Sequence, residues 1–187
     1  MKISQKLGFT LAEVLVVTFL FVILIMIGAG IFLYNNRFYE NQSGEVFSIS
    51  ATREAGDKIN EFTRQAVAIE SAYTYNSINY STGAQIVVLK LPALEADNDI
   101  IAGVYDYVII GASSTAPSLL ELITAPHSAS ARPGRYLLLS NKLAALNFTY
   151  DNTNLALAKS IIYDITVKET GRSPAQERVR GSATLRN

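Results

Sequence analysis

One carboxylate, Glu13, interrupts an otherwise apolar stretch that runs from Phe9 to Tyr34, and residues 14–36 carry no charge at all. A carboxylate inside a membrane-spanning helix is costly and ordinarily has a partner. No basic residue lies between Lys6 and Arg37 to supply one. Cutting the chain between Gly8 and Phe9 would create a cation at the right depth, the α-amine of Phe9. That amine could pair with Glu13 of its own helix or of a neighbour. The plainer alternative is a flanking charge that snorkels to the membrane interface at little cost.

The remaining candidates for chemistry are weaker. The chain has no Cys, which excludes thiol catalysis, disulfides and thiolate metal sites, and one His, His127, which excludes any site needing two. His127 sits in the turn-like segment Ala125-Pro-His-Ser-Ala-Ser130, and Ser113, Ser114, Ser128 and Ser130 have no GxSxG frame around them. Glu95, Asp97 and Asp99 form an acidic cluster without the glycine and terminal glutamate of an EF-hand loop, which reads as a solvated loop. Asn79 and Asn147 open glycosylation sequons, a pattern that alone predicts little. Arg178, Arg180 and Arg186 share one face of the last predicted strand but lack interleaved aromatics, so they are a weak nucleic-acid signal. The sequence therefore predicts no enzyme, no cofactor and no metal.

Several elements must position Glu13. Of 187 residues, 49% are hydrophobic and 17% charged, with 16 basic and 16 acidic side chains in balance. From Phe9 to Tyr34 a helix would extend about 39 Å, enough to span a hydrocarbon core of roughly 30 Å. Lys2 and Lys6 precede it, so the positive-inside rule keeps the N-terminus cytoplasmic and exports everything after Asn35. A secretory signal cut at Gly28-Ala29-Gly30 is the competing reading, though the apolar run is long for one.

Gly8-Phe9-Thr10-Leu11-Ala12-Glu13-Val14-Leu15-Val16, after a short basic leader and before a spanning helix, resembles the class III signal of type IV pilin-like proteins. That family includes type IV pilins and the pseudopilins of type II secretion and competence systems. The resemblance implies that a membrane aspartyl (prepilin) peptidase cuts after Gly8 and that the Phe9 amine is then methylated. It also implies that Glu13 pairs with a neighbour's N-terminus during assembly on an inner-membrane platform. Many major pilins carry a helix-kinking proline where this chain has Gly30.

Beyond the membrane, residues 35–70 contain no proline, and Ala55, Ile59, Phe62, Ala66 and Ile69 form a helical stripe. The spacing predicts helix through Ile69, roughly 90 Å from Phe9 if unbroken, with Ser43-Gly44 and Gly56 as weak points. From Ser71 the period changes to two. Segments Ile86–Leu91, Tyr105–Ile110, Leu119–Ile123, Tyr136–Leu139, Leu146–Tyr150, Ile161–Val167 and Val179–Leu185 read as strands. The expected fold is α+β: a long N-terminal helix packed against a mainly antiparallel head spanning 71–187. Residues 1–8 are the leader, 9–34 the membrane and filament-core helix, and 35–70 its amphipathic continuation.

The order of elements over residues 85–187 weakly resembles J-type minor pseudopilins and W-type minor pilins, which implies a place in a filament tip complex. Length, 187 residues less the leader, leans the same way. Segment 91–131 is acidic and segment 132–187 basic, so opposite faces could dock neighbouring heads or be neutralised within one head. The expected function is thus a minor or tip subunit of a pilus or pseudopilus, with other pilins and membrane lipid as partners. The alternatives are a filament-borne DNA-binding or surface adhesin and a signal-anchored exported enzyme; the last leaves Gly8, Phe9 and Glu13 unexplained.

Overall fold

In the computed structural model, which describes residues 10–168 and 176–186, the architecture is α+β. One helix, α1 (Leu11–Gln65), precedes ten strands. Two compact units emerge, Met1–Ser43 and Gly44–Asn187. The first is helical from Leu11 onward. Its segment Leu11–Tyr39 is long and apolar enough to cross a membrane, and its large side chains, Phe19, Phe21, Leu24 and Met26 among them, stand exposed.

The second unit joins the C-terminal part of α1 to three antiparallel sheets. The strands are β1 (Ala68–Glu70), β2 (Ala72–Tyr75), β3 (Ile78–Ser81), β4 (Ile86–Leu94), β5 (Ile100–Ala112), β6 (Leu120–Ala125), β7 (Arg135–Ser140), β8 (Leu143–Tyr150), β9 (Ser160–Lys168) and β10 (Gln176–Thr184). Five of them form a sheet in the order β1-β4-β5-β6-β7, three form β10-β9-β8, and β2 and β3 make a hairpin. Alternation sorts the side chains. Val87, Leu89, Leu91, Val108, Ile110, Leu120 and Leu122 face a core that also holds Ala55 and Ile59 of α1 and Phe148, Ile161 and Ile165 of the smaller sheet. The opposite face of the large sheet is also covered: Val88, Ile109 and Ile123 pack with Tyr80, Tyr73 and Tyr75 of the hairpin. Burial on both faces explains why Ile86–Leu91 is an almost continuous apolar run.

Two expectations need correction. The helix ends at Gln65, not Ile69, and residues 68–70 instead pair with β4, Ile69 opposite Leu89. Ala66 is buried at the last helical turn, its N–H bonded to the Phe62 carbonyl at 3.0 Å, while Ile69 is buried by the strand that completes the sheet edge. Val67 N–H donates to the Lys90 carbonyl at 2.9 Å, and the Lys90 ammonium meets Glu70 at 2.9 Å. Neither Ser43-Gly44 nor Gly56 breaks the helix. Gly56 is a packing contact: a Cβ there would lie 3.3 Å from the Tyr163 hydroxyl, which also receives the Asn60 amide at 3.0 Å. Tyr163 lies over Gly181 as well, where a Cβ would come within 2.4 Å of the ring, so one tyrosine ties α1 to the smaller sheet.

Ten strands form rather than the seven expected, because β1, β2 and β3 are too short to show an alternation. The β2–β3 turn places Asn76 at φ 50 and Ser77 at φ 66, the left-handed pair of a type I′ hairpin without the usual glycine. Where β5 bulges against Pro92 of β4, Gly103 takes φ 76, and Pro92 tolerates the break in register because it has no N–H to pair.

Candidate functional site

Helix α1 starts with a reciprocal cap built from two of the residues singled out by the sequence motif. The Thr10 backbone N–H donates to Glu13 Oε2 at 2.8 Å, and the Thr10 hydroxyl donates to the same oxygen at 2.9 Å. In return, the Glu13 N–H donates to Thr10 Oγ1 at 3.3 Å. This is the capping box T-x-x-E, which satisfies amides left without partners at the first turn. Glu13 is therefore partnered within its own helix, although it keeps its position on the exposed apolar surface beside Val14, Val17 and Phe21. Among the described residues its second oxygen, Oε1, takes no bond and no cation pairs with it. Gly8 and Phe9, the proposed cleavage and methylation residues, lie outside the described residues.

The arginines predicted to share a face occupy exposed positions, but they do not form a uniform row. Arg178 and Arg180 lie two apart on β10, and Arg186 follows the strand's end. Arg178 grips Asp164 of the adjacent strand with both its Nε, at 2.8 Å, and an Nη. The Arg178 hydrogen bond holds the Asp164 carboxyl below the usual carboxylate range. One of the three charges is thus answered within the head. The Arg186 backbone N–H donates to the Ala66 carbonyl at 3.0 Å, which ties the chain's end to the exit of α1.

The other sequence candidates resolve into loop chemistry. His127 Nδ1 accepts the Ala129 N–H at 3.1 Å in a local turn. Glu95, Asp97 and Asp99 lie in an exposed turn closed by backbone bonds between Glu95 and Asp99 and between Asn98 and Glu95. Among the described residues, no group of three His, Cys, Asp or Glu is placed to hold a metal. Ser113 Oγ and Thr115 Oγ1 share a hydrogen bond at 3.1 Å.

Sequence reasoning missed the most constrained polar cluster. Asp106 is fully buried on β5. Its carboxylate accepts the His127 N–H at 2.8 Å, the Ser130 hydroxyl at 2.8 Å and Arg132 Nε at 2.9 Å. Arg132 reaches onward to Gln65 Oε1 at 3.2 Å and the Pro92 carbonyl at 3.3 Å. Four segments, α1 through its last residue, β4, β5 and the loop after β6, meet at this ion pair. A lone carboxylate in the apolar strand Tyr105–Ile110 was the available signal, since Asp is almost never fully buried unpaired. Asp106 belongs to the segment taken as an acidic surface and Arg132 to the basic one. One charge from each side of that contrast is therefore neutralised inside the head.

Compared with family models, curated proteins and solved structures, the chain matches none.

Proposed function

We propose that the chain is a prepilin, cut between Gly8 and Phe9, methylated on the Phe9 amine and built into a type IV pilus or a type II secretion or competence pseudopilus. It would serve as a minor or tip subunit, held in the cytoplasmic membrane before assembly with its head exported. The observation that carries the reading is the location of Glu13: a carboxylate in the first turn of an exposed, membrane-length apolar helix, four residues after Phe9.

The capping box supports this reading in a specific way. Both Thr10 donors go to Oε2, so they survive removal of residues 1–8, because Thr10 keeps its amide to Phe9. Among the described residues Oε1 takes no bond, which leaves it for a neighbour's amine. The apolar surface of Leu11–Tyr39 suits lipid before assembly and other pilin helices after it, the two apolar solvents such a helix would meet in turn. Its partners in this reading are the peptidase, the assembly platform and other pilins. The nucleic-acid reading draws less support, because Asp164 already engages Arg178.

Cleavage supplies the test. Gly8→Glu places a side chain where the peptidase of this family accepts glycine, and the full precursor should accumulate in the membrane and be absent from sheared filaments. Normal shortening of this variant, checked by electrophoresis beside the unaltered chain, contradicts the proposal.

A further inference from the structure

On the outer face of the five-stranded sheet, between the β2–β3 hairpin and strands β6 and β7, lies a groove of about 430 Å³. That volume is in the range of small-molecule sites. Its lining combines three tyrosines, Tyr75, Tyr80 and Tyr136, with Glu121, Arg135 and Asn76. Ile78 and Ile123 add apolar surface.

The polar groups here are only partly used. Glu121 Oε1 accepts the Tyr136 hydroxyl at 3.0 Å. Among the described residues, Oε2 has no partner, and no cation lies within ion-pair distance of the half-buried carboxylate. The Asn76 amide, the Arg135 guanidinium and the hydroxyls of Tyr75 and Tyr80 likewise have no protein partner among those residues. Burial first, and then the nearby Glu121, push the Tyr80 and Tyr136 phenols up, so both remain neutral donors at ordinary pH. The hairpin that forms one wall turns through Asn76 and Ser77, two consecutive non-glycine residues with positive φ.

This lining selects a chemistry. A simple anion would meet Glu121, and a simple cation would meet Arg135. A purely apolar ligand would strand five polar groups. A neutral molecule with an apolar face and a ring of hydroxyls satisfies all of them: its C–H face lies on the tyrosine rings, and its hydroxyls donate to Glu121 and accept from Arg135 and Asn76. We infer that this groove is a binding site for a neutral saccharide, with Tyr136 as the exposed stacking surface and Glu121 as the hydroxyl acceptor. The site belongs to the head alone and stands whether or not the chain enters a filament.

The test uses the full chain in nanodiscs of phosphatidylethanolamine and phosphatidylglycerol, which present neither glycoside detergent nor choline. Cellotriose, maltotriose and tri-N-acetylchitotriose are titrated by calorimetry, with choline chloride as the cationic comparison. At least one trisaccharide should bind saturably at sub-millimolar concentration. Tyr136→Ala and Glu121→Gln, on exposed and half-buried positions, should each weaken that binding by about tenfold or more, in line with the cost of leaving a recognition group unpaired. Arg135→Ala, fully at the surface, should weaken it too, and circular dichroism verifies that each variant keeps its fold. Failure of all three sugars, binding of choline in their place, or sugar binding indifferent to these three substitutions overturns the assignment.

Discussion

Asp106→Ala is expected to destabilise the head by about 3–5 kcal/mol, the loss typical of breaking a buried ion pair by removing one partner. The carboxylate is wholly buried, whereas the Arg132 side chain is 13% exposed, so the surviving guanidinium cannot simply swing into water. Removing Asp106 also orphans the His127 N–H and the Ser130 hydroxyl. Because Arg132 also holds Gln65, the exit of α1 should loosen together with the 125–134 loop. Denaturant unfolding of the full chain, followed by near-ultraviolet tyrosine dichroism, measures the loss mainly in the head, because all tyrosines but Tyr34 and Tyr39 lie there. The double variant Asp106→Leu with Arg132→Met should recover part of it, since an apolar pair leaves no buried charge behind. A single-variant loss below about 1 kcal/mol would mean that the cluster is solvated in solution.

Glu13 separates two roles that the capping box makes distinguishable. Glu13→Gln keeps a side chain that can accept the Thr10 amide, since either residue serves in a capping box, but it removes the charge. Glu13→Val removes both. If assembly depends on pairing the carboxylate with a neighbour's Phe9 amine, both variants should insert and be cut normally. Both should then fall more than about tenfold in sheared filaments, as truncating one side of a close charge pair does. If Glu13 serves only to cap α1, the glutamine variant should assemble like the unaltered chain and the valine variant alone should fail. Quantitative immunoblotting of filament and membrane fractions distinguishes the two outcomes.

The elements with one strong period were legible from the chain, and those that borrow stability from elsewhere were not. Strands β4, β5, β8 and β9 announced themselves through runs such as Ile86–Leu91 and through the alternation of Ile161, Tyr163, Ile165 and Val167. The apolar helix was legible from composition alone. The β2–β3 hairpin was not, because Tyr-Asn-Ser-Ile-Asn-Tyr carries polar turn residues without the glycine that usually marks a type I′ turn. Its tyrosines become a layer only by resting on Ile109 and Ile123, which are distant in the chain. The end of α1 differs for a related reason: Ile69 is buried, as a helical stripe requires, but by pairing with β4.

Site residues divided in the same way. Thr10 and Glu13 are three apart, and their reciprocal cap could be seen in the sequence as T-x-x-E. The Asp106–Arg132 pair joins positions on different elements, and no local pattern announces which arginine a buried aspartate will meet. The tyrosine groove collects residues from β2, β3, β6 and β7, with nothing but the fold to unite them. For the arginine face, the sequence supplied the alternation but not Asp164, which sits across the strand and takes up Arg178.

The prepilin reading is tested most directly by the N-terminus of the mature chain. The full-length protein should be produced in cells that carry a prepilin peptidase, recovered from the membrane, and analysed by N-terminal sequencing and intact mass. The expected product begins at Phe9 and is one methyl group heavier than its sequence. An N-terminus still at Met1, or one produced by cutting within Gly28-Ala29-Gly30, would contradict it.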